Sequence, residues 1–106
     1  MAKYLFHGSY TQAGIQGVLK DGGTARRKAV DALAKSVGGS VESMYWAFGK
    51  DDFYVIGEFP SHAAAAALTA TTGAAGSVTI STVVLLTAED MDKASKLHPE
   101  YRVPGA

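Results

Sequence analysis

A chain of 106 residues is long enough for one domain with one core and too short for an independent second. Its 47% hydrophobic and 19% charged residues set it apart from disordered sequences, and a formal net charge of +0 leaves no basic footprint for nucleic acid or anionic lipid. Without cysteine it can form no disulfide, thiolate metal site or cysteine nucleophile. A cytoplasmic setting suits that, and neither Met1–Gly8 nor any later apolar run is long enough for a signal peptide or a membrane span.

The aromatic run Lys3–Tyr10 predicts a first strand ending at the polar Thr11. Behind a Thr11 cap, Ile15, Val18 and Leu19 fall on one helical face. Gly14 and Gly17 weaken that turn and Gly22-Gly23 ends it, so a short helical lead-in is expected. Val30, Leu33 and Val37 recur at helical spacing from Thr24 until Gly38-Gly39, which predicts the first main helix. Val41–Phe48 and Phe53–Phe59 are β-prone runs joined by Gly49-Lys50-Asp51-Asp52, the pattern of an antiparallel hairpin. Pro60 stops the second run and Ser61 caps an alanine-rich helix through Leu68, which Gly73 and Gly76 close. Ser77–Leu86 is the strongest strand signal, and Thr87 with Asp90 forms a capping box before a last helix carrying Met91, Ala94 and Leu97 on one face.

The order β-α-β-β-α-β plus a C-terminal helix is the split βαβ pattern of ferredoxin-like α+β domains, with a four-stranded antiparallel sheet and helices on one face. Residues 1–97 form this domain and 98–106 a tail. The second sheet face should also be apolar, because strands two and four carry hydrophobic residues on both sides: Met44 and Trp46 against Tyr45, Ile80 and Val84 against Val83 and Leu85. An uncovered face of that kind calls for a homo-oligomer joined through the sheets, the other possibility being that the C-terminal helix folds over it.

The segments Lys3–Thr11, Gly22–Val30, Gly38-Gly39, Tyr45–Gly49 and Val83–Thr87 resemble the GYD domain family over roughly Lys3 to Lys96. The resemblance implies a dimeric α/β-barrel of the ferredoxin-like superfamily, in a bacterial family whose biochemical role is generally undescribed. The family's glycine-tyrosine-aspartate signature falls at the second hairpin. There Gly49 and Asp52 match, while Asp51 stands where the tyrosine is usual. Gly49 can take a positive φ and Asp52 can bond turn amides, so both have a structural reading as well.

No metal site is expected from His7, His62 and His98, which sit in three separate elements, and no cofactor motif is present. Arg26 breaks a local rule: it precedes Val30 by four residues and so shares the apolar stripe of Leu33 and Val37. It can snorkel to solvent over its packed stem, or anchor an anionic or carbonyl-bearing ligand between sheet and helices. His7, held in mid-strand, can complete such a pocket or be an ordinary strand histidine. Tyr45 and Trp46 point to opposite faces, so only one of them can join it. Two readings follow from these candidate ligand-binding residues, Arg26, His7, Trp46 and Tyr45. One is a non-catalytic oligomer that binds a small anionic or aromatic molecule or serves as a scaffold. The other is a cofactor-independent monooxygenase- or isomerase-like enzyme, which needs His7 and Arg26 to meet in one cavity.

Overall fold

The computed structural model describes residues 1–106 and contains β1 (Ala2–Tyr10), α1 (Gln12–Asp21), α2 (Gly23–Ser36), β2 (Ser40–Trp46), β3 (Phe53–Phe59), α3 (His62–Ala74), β4 (Val78–Leu85) and α4 (Ala88–Ser95). The strands form one antiparallel sheet in the order β2-β3-β1-β4, a ferredoxin-like α+β arrangement with the longest strand, β1, inside. No helix is long and apolar enough to cross a membrane.

Alternation along the strands sorts the side chains. Tyr4 and Phe6 of β1, Met44 of β2, Phe53, Val55 and Phe59 of β3 and Val78 of β4 are buried beneath Ala34 of α2 and Ala65 and Leu68 of α3. The alanines let the helices lie close to the sheet, and edge-to-face contacts of Phe59 with Tyr4 (5.9 Å) and Phe6 (5.3 Å) fill the space between. The Tyr4 hydroxyl, which would be costly to bury alone, is hydrogen-bonded to His62 Nδ1 at 2.6 Å. Gly39 is held to glycine by contact: a Cβ there would come within 2.4 Å of the Phe59 ring.

The expected short lead-in is a full ten-residue helix, α1. Thr11 caps it by accepting from the Gly14 amide, and Gly22, at φ 85°, turns the chain straight into α2, so the two glycines inside α1 do not break it. The second strand stops at Trp46, two residues before Phe48. Pairing ends with Ala47 N–H donating to Asp52 O at 2.8 Å, and Phe48 is left fully exposed at the loop.

α4 has the expected complete capping box between Thr87 and Asp90, yet it carries no buried residue and joins no core. The C-terminal arm therefore stretches the protein to 56 × 33 × 22 Å, with a radius of gyration of 16.9 Å. A compact domain of this length would have about 13 Å. The second face of the sheet stays uncovered within the chain. It presents Lys3, Leu5, His7 and Ser9 of β1, Tyr54, Ile56 and Glu58 of β3, Tyr45 of β2 and Ser81, Val83 and Leu85 of β4, as the strand registers require. Tyr45 (71% exposed), Tyr54 (39%) and Val83 (42%) are its most open large side chains.

Candidate functional site

Arg26 lies in the first turn of α2, its amide bonded to Gly22 O at 3.3 Å, and borders two spaces at once. Below it, between helices and sheet, is an apolar cavity of about 40 Å³ walled by Phe6, Val30, Met44, Phe53 and Leu68 among others. Beside it, between α1 and α2, is a cleft of about 260 Å³ lined by Ala13, Gly14, Gly17, Val18, Ala29 and Ser77, with Asp21 as its one acidic group. Small residues on the facing helices keep this cleft open, and the Gly22 turn sets its angle.

The guanidinium Nε of Arg26 is buried without a hydrogen-bond partner. Leaving such a group unpaired costs about 1–3 kcal/mol, more when it is charged. A protein that keeps it there either tolerates that cost or satisfies the group with a molecule it binds.

Tyr10 is the other residue common to cavity and cleft. Its ring lies over Phe53 at 5.2 Å, and its hydroxyl accepts a bond from Trp46 Nε1 at 3.0 Å. With the oxygen already used as acceptor, the hydroxyl proton is free to be donated to a ligand. Trp46 also abuts the start of α2, where a Cβ on Gly23 would lie 3.6 Å from its ring. Arg26 and Trp46 thus meet on the helix side through Tyr10, a residue that sequence reasoning passed over as the end of a strand. Its strand position and aromatic type were the available signal, but nothing in the sequence joins it to Trp46, 36 residues away.

His7 and Tyr45 stand on the opposite, open face. Phe6 points into the cavity wall and His7, its neighbour, away from it, so the sheet separates His7 from Arg26. There His7 Nδ1 is 2.7 Å from Asp51 Oδ2, and the imidazole lies parallel to the Tyr54 ring at 6.1 Å and 13°. The loop that delivers Asp51 is tied to β1 three times: Asp52 N–H donates to Gly8 O (2.7 Å), Tyr10 N–H to Asp52 Oδ2 (3.0 Å) and Ser9 Oγ to Lys50 O (3.2 Å). Asp51 was the second residue missed. The place where the chain departs from the family signature read as a loss of tyrosine, whereas the structure gives the new carboxylate a partner.

At the far end of this face the Lys3 ammonium is paired with Glu42 and with Glu58, 3.7 Å away. The hydrogen bond to Glu42 is the main cause that holds Lys3 above its ordinary pKa, with both carboxylates adding to it. The bulge between Val41 and Ser43 takes Glu42 out of the regular register of β2.

No curated protein and no solved structure matches the chain. The family model of the GYD domain matches residues 4–95.

Proposed function

The chain belongs to the GYD domain family, and from that premise we propose that it is a small-molecule-binding module whose ligand reaches Arg26 through the cleft between α1 and α2. One observation carries this reading: the unpartnered Arg26 Nε at the boundary between the cleft and the apolar cavity. The ligand is a small body with one carboxylate or carbonyl, which Arg26 and the Tyr10 hydroxyl bind while its apolar part turns toward the cavity. Asp21 on the cleft wall works against a second negative charge, so a monoanion or a neutral carbonyl fits better than a dianion. Trp46 positions Tyr10 through its indole N–H.

The enzyme reading asks for His7 and Arg26 in one cavity, and within a protomer the sheet stands between them. The binding reading asks only for the cleft. Two copies joined through their open sheet faces, in the cytoplasm, complete the picture. Leu5, Ile56, Val83 and Leu85 give that face an aliphatic centre whose burial in a twofold pair would stabilise it by about 25 cal/mol per Å² of apolar surface removed from water.

Benzoate and benzamide, titrated calorimetrically into the wild-type protein and Arg26→Met, test the site. Saturable binding of at least one by the wild type, weakened about tenfold or more in the variant, is expected, tenfold being 1.4 kcal/mol. Equal binding by the two proteins would remove Arg26 from the site. Sedimentation equilibrium tests the pairing, and a strict 11.0 kDa species at micromolar concentration would sink it.

A further inference from the structure

Within one protomer the open face holds an arrangement that the Arg26 site does not use. In its neutral form a histidine whose Nδ1 is bonded to a carboxylate has its tautomer fixed: the proton on Nδ1 donates to Asp51, and the Nε2 lone pair is left as an acceptor. The pair is neither deep nor loose. His7 and Asp51 side chains are 26% and 22% exposed, and the bonds from Lys50 and Asp52 to β1 hold the loop that carries Asp51 against the strand that carries His7. Preorganisation of this kind distinguishes a working acid-base pair from a surface ion pair free to rotate.

The surroundings say what would suit it. Tyr54 lies parallel to the imidazole, Tyr45 is opposite Tyr54 in the next strand, and Leu5 and Ile56 continue the same face. That is a platform for a flat, largely apolar molecule. The cation of this face, Lys3, is committed to Glu42 and Glu58, and Asp51 would repel an anion, so the ligand arrives uncharged.

We propose that the His7–Asp51 pair and the Tyr54 ring form a second site on the open sheet face, which accepts the proton of a neutral planar molecule bearing an acidic hydroxyl, a phenol or an enol. The ligand O–H donates to Nε2. When transfer completes, the O–H bond breaks and its electron pair stays on the ligand oxygen. The Nε2–H bond forms, and the resulting imidazolium lies between that oxyanion and the Asp51 carboxylate. No other reactant is consumed. The site is complete in one protomer and does not depend on the Arg26 site; because sheet pairing would bury Leu5 and Ile56 of the same platform, the ligand and a second copy compete for this face.

4-Nitrophenol is a suitable probe because its colour reports the state of its own hydroxyl, and nitrogen-15 NMR of the imidazole reports the other half of the contact. With the pH set where Nε2 of the free protein gives the signature of an unprotonated nitrogen, saturating probe should move it toward the protonated one. Asp51→Asn should raise about tenfold the probe concentration needed to move Nε2, and His7→Gln should abolish the Nε2-dependent colour change. Tyr54→Leu, which leaves the pair untouched, should weaken binding as well; circular dichroism melts confirm that each variant is folded. An Nε2 signal that the probe does not move, or a bound-probe colour change that survives His7→Gln, would overturn the proposal. A purely structural ion pair would change the melts of the His7 and Asp51 variants and leave Nε2 unmoved by the probe.

Discussion

The two faces of the sheet are made from the same strands and differ in what their polar groups are for. On the helix side, burial is deep and the polar groups are few: Tyr4 is satisfied by His62, Tyr10 by Trp46, and Arg26 Nε by nothing in the chain. On the open side, the polar groups come in pairs, Lys3 with Glu42 and Glu58 and His7 with Asp51, and the apolar residues between them are half-buried or exposed. An unpaired cation beside a cleft asks for an anion or a carbonyl. A paired histidine on a flat aromatic surface asks for a neutral proton donor. One domain can therefore offer two chemistries separated by the thickness of a sheet.

Adjacent residues of β1 give the largest expected contrast. Phe6→Ala removes a side chain that is 2% exposed and touches Phe59, and should lower unfolding free energy by about 3–5 kcal/mol in urea. His7→Ala, one residue on, removes a partly exposed hydrogen-bonded pair and should cost no more than about 1 kcal/mol. Similar losses at the two positions would mean that the open face is covered in solution more tightly than a single protomer shows. Arg26→Met is next in size and opposite in sign. Removing the unpaired Nε while keeping an apolar stem should leave stability unchanged or raise it by about 1–2 kcal/mol, measured in the same titration, although the ligand is lost. A loss of stability instead would show that Arg26 is held by the protein and not kept for a ligand.

The strands and helices were legible because their signals are local. Alternation in Lys3–Tyr10 separated Tyr4 and Phe6 from Leu5 and His7, and the Thr87–Asp90 capping box lay within four residues of sequence. Arg26 was legible as a polar residue out of place on an apolar stripe. The contacts that define the sites were not, since each joins distant segments: Tyr10 to Trp46 across 36 positions and His7 to Asp51 across 44. Spacing cannot reveal a partner that only the sheet order brings near. Glycine content misled only on length in α1, where Gly14 and Gly17 read as weakening a short lead-in while the Thr11 cap and the Gly22 turn hold a ten-residue helix at both ends.

On the open face, Val83→Lys places a charge at its aliphatic centre. It should change protomer stability by no more than about 0.5 kcal/mol, as an exposed substitution does, yet it should halve the mass of a sheet-paired dimer in sedimentation. Alkaline pH should loosen the same face without mutation. The folded Lys3 pKa lies above its ordinary 10.5, so the contribution of its ion pairs is full below that value and fades as pH rises through the folded one. Salt should weaken these exposed pairs too, which separates their share of the pairing from that of Val83.

The smallest effect belongs to α4, the helix that covers neither face. Eight residues are too few for a stable helix in water on propensity alone, so its capping box and the first-turn acids Glu89 and Asp90 carry much of its order. The Thr87 amide, with the Thr87 hydroxyl, holds the Asp90 carboxylate below its ordinary 3.8, so that stabilisation is present above the unfolded value and is lost as pH falls through the folded one. Protection factors of the Met91 and Asp92 amides, corrected for the intrinsic rate at each pH, should accordingly fall in acid while those of β1 hold, and Asp90→Asn should give the lower protection already at neutral pH. If the α4 amides stay as slow as those of β1 through this titration, something other than the cap orders the helix. A second copy packed against the exposed Met91 and Leu97 would then be what orders it.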